Sequence, residues 1–114
     1  MIDFDGVIHS YTSGWLGATA VSDPPVPGAI EWLTEMSTKY TLAIFSARNR
    51  HAGAVDAMKA WLLQFGLSEE VLKKIKFPKQ KIPAHLYIDD RAWRFEGTFP
   101  STDLIDAFKP WNRQ

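Results

Sequence analysis

Cysteine is absent from the 114 residues. That excludes thiol catalysis, disulfides and thiolate metal sites together, and leaves oxygen and imidazole as the available metal ligands. An excess of one charge is also missing. The 13 basic and 13 acidic residues cancel, so no global field draws the chain to nucleic acid or to a membrane, and either partner would need a local patch. No apolar run reaches the ~18 residues that suggest a membrane span, and no charged-then-apolar leader opens the sequence, so a soluble, cytoplasmic protein is expected. Internal repeats and low-complexity tracts are lacking as well. The length suits a single domain over residues 1–114, large enough to bury a core without covalent staples.

What is present starts with Met1-Ile2-Asp3-Phe4-Asp5-Gly6-Val7-Ile8. In an extended chain, residues two apart point to the same side. Asp3 and Asp5 can therefore face one pocket where a short strand ends and turns at Gly6. Two like charges this close repel unless a divalent cation or a shared proton offsets them. On these residues alone, a strand edge with two solvated acids and a turn glycine is an equal reading. Only Met1 and Ile2 precede Asp3, so the chain is expected to begin part-way through its first strand.

From His9 to Val21 the composition shifts to Ser, Tyr, Thr, Gly and Trp. This reads as a glycine-hinged flap or small hairpin with Trp15 near its tip. Asp23-Pro24-Pro25-Val26-Pro27-Gly28 is a stiff connector, and Pro27 suits a first helical turn. Ala29 to Lys39 sets Ile30, Leu33 and Met36, with Tyr40 one turn on, near one helical face. Tyr40 to Phe45 is nearly all apolar and reads as a central strand buried on both faces. It ends abruptly in Ser46-Ala47-Arg48-Asn49-Arg50-His51.

A helix over Gly53 to Phe65, with a stripe of Val55, Met58, Leu62 and Phe65, stops at Gly66. Ser68 caps a shorter helix to Lys73. Ile75 to Phe77 and His85 to Ile88 read as strands, with the basic loop Lys79-Gln80-Lys81 between them. The second of these strands ends in Asp89-Asp90. Trp93 to Phe95 suggests an edge strand, and Ser101 caps a last helix to Phe108. Strands alternating with helices predict an α/β fold with a mostly parallel sheet covered on both faces. In such a sheet the polar groups after each strand fall on one edge, where ligands sit.

Asp3-Phe4-Asp5-Gly6-Val7, then a strand ending at Ser46, then Lys81, then a strand ending at Asp89-Asp90, resembles the four motifs of the haloacid dehalogenase superfamily in its phosphatase branch. The resemblance spans residues 3 to 90. It implies a Rossmann-like three-layer sandwich and a phosphohydrolase working on phosphate monoesters. By that resemblance Asp3 is the nucleophile that becomes an aspartyl-phosphate, and Asp5 protonates the leaving group and then activates water. Ser46 and Lys81 bind the phosphoryl oxygens. Mg²⁺ is held by Asp3, the Asp5 backbone carbonyl and an acid of the Asp89-Asp90 pair. Asp90 is the direct ligand of the two, because the family's common glycine at this point matches Asp89. Lys76 and Lys79 compete with Lys81, whose Lys-Ile-Pro context is the closer match.

No inserted segment is long enough for a large cap, so residues 9–21 are the only candidate lid. An open site would take a large phosphorylated substrate, or a second subunit would complete the enclosure. Arg48 and Trp15 are candidates for substrate contact. His9, His51 and His85 show no ligand-like spacing, and the five Trp are expected in core and rim rather than as a base-stacking platform. Two other functions stay open. One is a phosphatase of polynucleotide ends, which the string Ile88-Asp89-Asp90-Arg91 resembles and which a basic strip of Arg48, Arg50, Lys79 and Lys81 would serve. The other is a non-catalytic module that keeps the fold.

Overall fold

Parallel pairing of two short strands organises the computed structural model, which describes residues 1–113. Strand β1 (Ile2–Asp3) pairs with β2 (Ile44–Phe45), with Ile2 opposite Ile44 and Asp3 opposite Phe45. Two further extended segments extend the ladder by single parallel bridges, Ile88 beside Ile2 and Lys76 beside Ala43. The spatial order is therefore the Lys76 segment, β2, β1 and the Ile88 segment. Hydrogen bonds run from Asp3 N to Ile88 O, from Ile88 N to Met1 O, and from Ile44 N to Lys76 O, each 2.8–3.0 Å.

Helices fall where the sequence places them. They are α1 (Ala29–Ser37), α2 (Ala54–Gln64), α3 (Glu69–Lys74) and α4 (Thr102–Ala107). Ser68 and Ser101 accept hydrogen bonds from Val71 N and Leu104 N, filling donors that an uncapped first turn leaves open. The core joins Ile2, Phe4, Ile8, Leu33, Leu42, Ile44, Met58, Trp61, Leu62, Leu67, Val71 and Ile75. Trp61 sits in it edge-on to Phe4, ring centroids 5.3 Å apart.

Several expectations are corrected. The apolar run from Tyr40 is strand only at Ile44–Phe45; Leu42, Ala43 and Ile44 are buried as a central strand requires, but Tyr40 faces solvent and leaves the α1 stripe. On α2 the core position is Trp61, while Phe65 stands at the rim. Trp93 to Phe95 forms no strand and is exposed. Residues 9–21 hold no paired hairpin strands among themselves; turns fill the segment, and an antiparallel bridge between His9 and Pro25 closes its base.

Candidate functional site

The register of the ladder brings the polar strand ends to one edge. Because Ile2 lies beside both Ile44 and Ile88, one step further along the strands puts Asp3, Phe45 and Asp89 at one level, with Ser46 and Asp90 following. Carboxylate oxygens of Asp3, Asp89 and Asp90 lie within 4.8 Å of one another. Asp3 accepts a hydrogen bond from Phe4 N at 2.8 Å, and Asp89 accepts one from Arg91 N at 2.7 Å. Gly6, at φ 85°, lets the backbone come against Asp90: a Cβ at that position would overlap the Asp90 carboxylate.

This crowding has an electrostatic consequence. Burial, the hydrogen bond with Asp90 and the charge of Asp89 together push the Asp3 carboxyl up to about 8, against the opposing Phe4 amide. Three all-oxygen donors that repel one another when ionised form a set that could hold a hard divalent cation.

Asp5 is set in the opposite environment. Burial opposes its charge, but hydrogen bonds from His9 and Arg48 outweigh it and hold the carboxyl below its ordinary range. Both oxygens are committed, Oδ1 to His9 Nδ1 and Oδ2 to Arg48 Nε, each at 2.8 Å. His9 Nε2 accepts from Asp23 N at 3.1 Å, so Nδ1 must carry the proton given to Asp5. The loop geometry makes this pairing: the amides of Ile8 and His9 both turn back onto the Phe4 carbonyl, which brings His9 against Asp5 four residues earlier.

Arg48 is fully buried and is the hub of this side. Besides Asp5, its Nη1 donates to the carbonyls of Gly17, Ala18 and Ala20 at 2.9–3.1 Å, and Trp15 lies over the guanidinium 4.9 Å from its ring centroid. Nη2 has no partner among the described residues. Asp23 accepts from Ser13 N and Ser13 Oγ, bonds that hold its carboxyl low. The expectation that Arg48 contacts substrate is thus replaced by a structural placement: it ties the flap to Asp5. Trp15 is at the flap surface, 51% exposed.

Ser46 is buried and its Oγ accepts from Arg48 N at 3.1 Å, starting the short 3₁₀ turn Ala47–Arg50. Its hydroxyl proton is not used in that bond. Asn49 Nδ2 ties this turn to the carbonyls of Ile44 and Pro78. Lys81 lines a cleft of about 720 Å³ together with Asp3 and Asp89, and its Nζ sits 4.4 Å from the centroid of the Tyr87 ring. Lys76 and Lys79 do not line that cleft. The residues that sequence reasoning missed are His9 and Asp23. For His9 the signal, its place four residues after Asp5, lies in the sequence; for Asp23, fourteen residues further on, there is none.

No helix is long and apolar enough to cross a membrane among the described residues. Compared with protein-family models, with curated proteins and with solved structures, the chain matches none.

Proposed function

We propose that the chain is a Mg²⁺-dependent phosphomonoesterase of the haloacid dehalogenase type, and that its short parallel ladder is the centre of a Rossmann-like three-layer sandwich without a large cap. The observation that carries this reading is the convergence at one sheet edge of the Asp3, Asp89 and Asp90 carboxylates, with Lys81 in the same cleft. The donor set fits magnesium, being all oxygen and short of positive charge. When bound, that ion would neutralise phosphoryl oxygens and keep Asp3 ionised.

The remaining work falls to side chains of this chain. Asp3 attacks phosphorus, the ester P–O bond breaks, and the leaving oxygen takes a proton. Water then attacks the phosphorus of the aspartyl-phosphate, releasing inorganic phosphate and freeing Asp3. Lys81 offsets charge on the phosphoryl group, and Ser46 offers its hydroxyl proton. Asp5 serves as acid to the leaving oxygen and base to the attacking water; because it is ionised and held by two donors, it must first loosen from His9 or Arg48 and take up a proton from solvent, which it gives to the leaving oxygen and regains from the water.

A site for polynucleotide ends loses support, because Arg48 is buried away from any basic strip and Lys79 stands outside the cleft. The test is phosphate release from a generic aryl phosphate with and without magnesium. Turnover that needs both the ion and Asp3 is expected; none under any divalent cation would leave a non-catalytic module as the reading.

A further inference from the structure

The cleft beside Asp3 continues past Lys81 along the Ile88 segment to Trp93, and its lining mixes apolar side chains with the cations Lys81 and Arg94 and with His85. Its volume of about 720 Å³ lies in the range of small-molecule sites, roughly 300–1,000 Å³. It is far larger than inorganic phosphate needs, so it has room for a leaving group of substantial size.

Phe45, Tyr87 and Trp93 line it, and they are not equivalent. Phe45 is half-buried within β2. Tyr87 is fixed: its hydroxyl donates to Ile82 O at 2.7 Å and accepts from Ala84 N at 3.1 Å, and Lys81 covers its ring. Trp93 is 51% exposed and has no ring or cation against it among the described residues. An unfilled indole face on the wall of a cleft that also holds the reacting acids is a platform for a planar ring.

We infer that the cleft takes a nucleoside monophosphate, its phosphate at Asp3 and Lys81 and its base stacked on Trp93. This rests on the phosphatase reading above and names its substrate class. A ribose between the two supplies hydroxyls, and His85 and Arg94 are polar groups of the cleft wall available to them. A free nucleotide is favoured over a polynucleotide end because a strand needs a basic track for its further phosphates. Here the net charge is zero, and Lys81 and Arg94 are the cleft's two cationic side chains.

Hydrolysis of AMP, of a short 5′-phosphorylated oligonucleotide and of glycerol phosphate is to be compared in the whole chain, in Trp93→Ala and in Trp93→Phe, all with magnesium. Trp93→Ala should raise KM for AMP about tenfold, within the range that base–aromatic stacking supports, and leave glycerol phosphate within about twofold. Trp93→Phe should recover most of the loss. Equal effects on AMP and glycerol phosphate, no effect on either, or preferred hydrolysis of the oligonucleotide would overturn the assignment while the phosphatase reading stands. If nothing is hydrolysed, AMP binding to the Asp3→Asn chain, followed by calorimetry with and without Trp93→Ala, separates the two. A tenfold loss keeps the nucleotide cleft without the chemistry, and no binding removes both.

Discussion

The two flanks of the candidate site are built in opposite ways. On the flap side, Asp5, His9, Arg48 and Asp23 are joined by hydrogen bonds of 2.8–3.1 Å, and Arg48 alone reaches three flap carbonyls. On the other side, the chain after Asp90 leaves Trp93, Phe95, Leu104 and Ile105 half-exposed or more, and Phe99 87% exposed. Trp111 Nε1, which donates to Gly6 O at 2.7 Å, and Asn112 Nδ2, which donates to Ser10 O at 3.3 Å, pin it back, while Phe95 and Phe99 contact each other within it. One flank is a core-like polar network that fixes a charge; the other is apolar surface with room for a ligand. Substitutions on the first should therefore appear in folding, and those on the second in binding.

The largest expected effect lies on neither flank but between them. Asp3→Asn keeps the shape, removes the proposed nucleophile and weakens the proposed cation set, so turnover should vanish while the urea midpoint holds or rises, since a repelling carboxylate has gone. Wild-type-like turnover would remove Asp3 from the mechanism. Next comes Arg48→Ala. It strands Asp5 beside a buried void and releases Gly17, Ala18 and Ala20, and breaking a buried pair in this way costs about 3–5 kcal/mol. Trp93→Ala, on the open flank, should stay within roughly 0.5 kcal/mol by the same denaturation. Equal losses in the two variants would erase the contrast between the flanks.

Proton linkage gives a smaller, graded effect. Asp3 titrates near 8 in the folded chain and at its ordinary value near 4 when unfolded. Between those values the folded state holds a proton that the unfolded state has lost, so Asp3 makes stability fall as pH rises from about 4 to about 8, by up to about 1.4 kcal/mol per pH unit. Asp5 and Asp23, held low, act in the other direction, their stabilisation disappearing only as pH drops below the ordinary carboxylate range. Urea midpoints at pH 5, 6.5 and 8 should decline without divalent cation, recover at pH 8 with magnesium, and lose their slope in Asp3→Asn. A flat wild-type profile would show that the three acids do not confront one another as the geometry has them.

How far the sequence could be read depended on how local each signal is. Helix limits and the Ser68 and Ser101 caps follow from residues within one turn, and the structure places them within a residue or two. The acid edge was legible because strand ends in a parallel sheet share a side, which puts Asp89 and Asp90 with Asp3. The role of Arg48 was not legible. Its burial depends on carbonyls some 30 positions away in residues 17–20, and those form no regular pattern. The strand expected at Trp93 to Phe95 failed because β-propensity of aromatic residues describes fit to a half-buried surface, and there no neighbouring strand offers one. His9 shows the same limit: its partners Asp5 and Asp23 meet only when the loop folds.

The smallest effect concerns the flap, and it decides what the flap is for. Trp15 covers Arg48 from outside and leans toward His51, ring centroids 6.3 Å apart. Its indole thus seals a buried cation while half of it remains open to solvent. If that is its whole contribution, Trp15→Ala should lower stability by about 0.5–1 kcal/mol, the value of an exposed cation–π contact, and leave KM for every phosphate ester unchanged. If the flap also closes over substrate, KM for a large substrate should rise several-fold while that for a small aryl phosphate barely moves. The second outcome is expected. Trp15 stands outside the hydrogen-bonded network, half-exposed at the flap surface, where a large ester and not a small one would meet it. Loss of stability with identical KM values would reduce Trp15 to a cover for Arg48 and place substrate recognition wholly on the open flank.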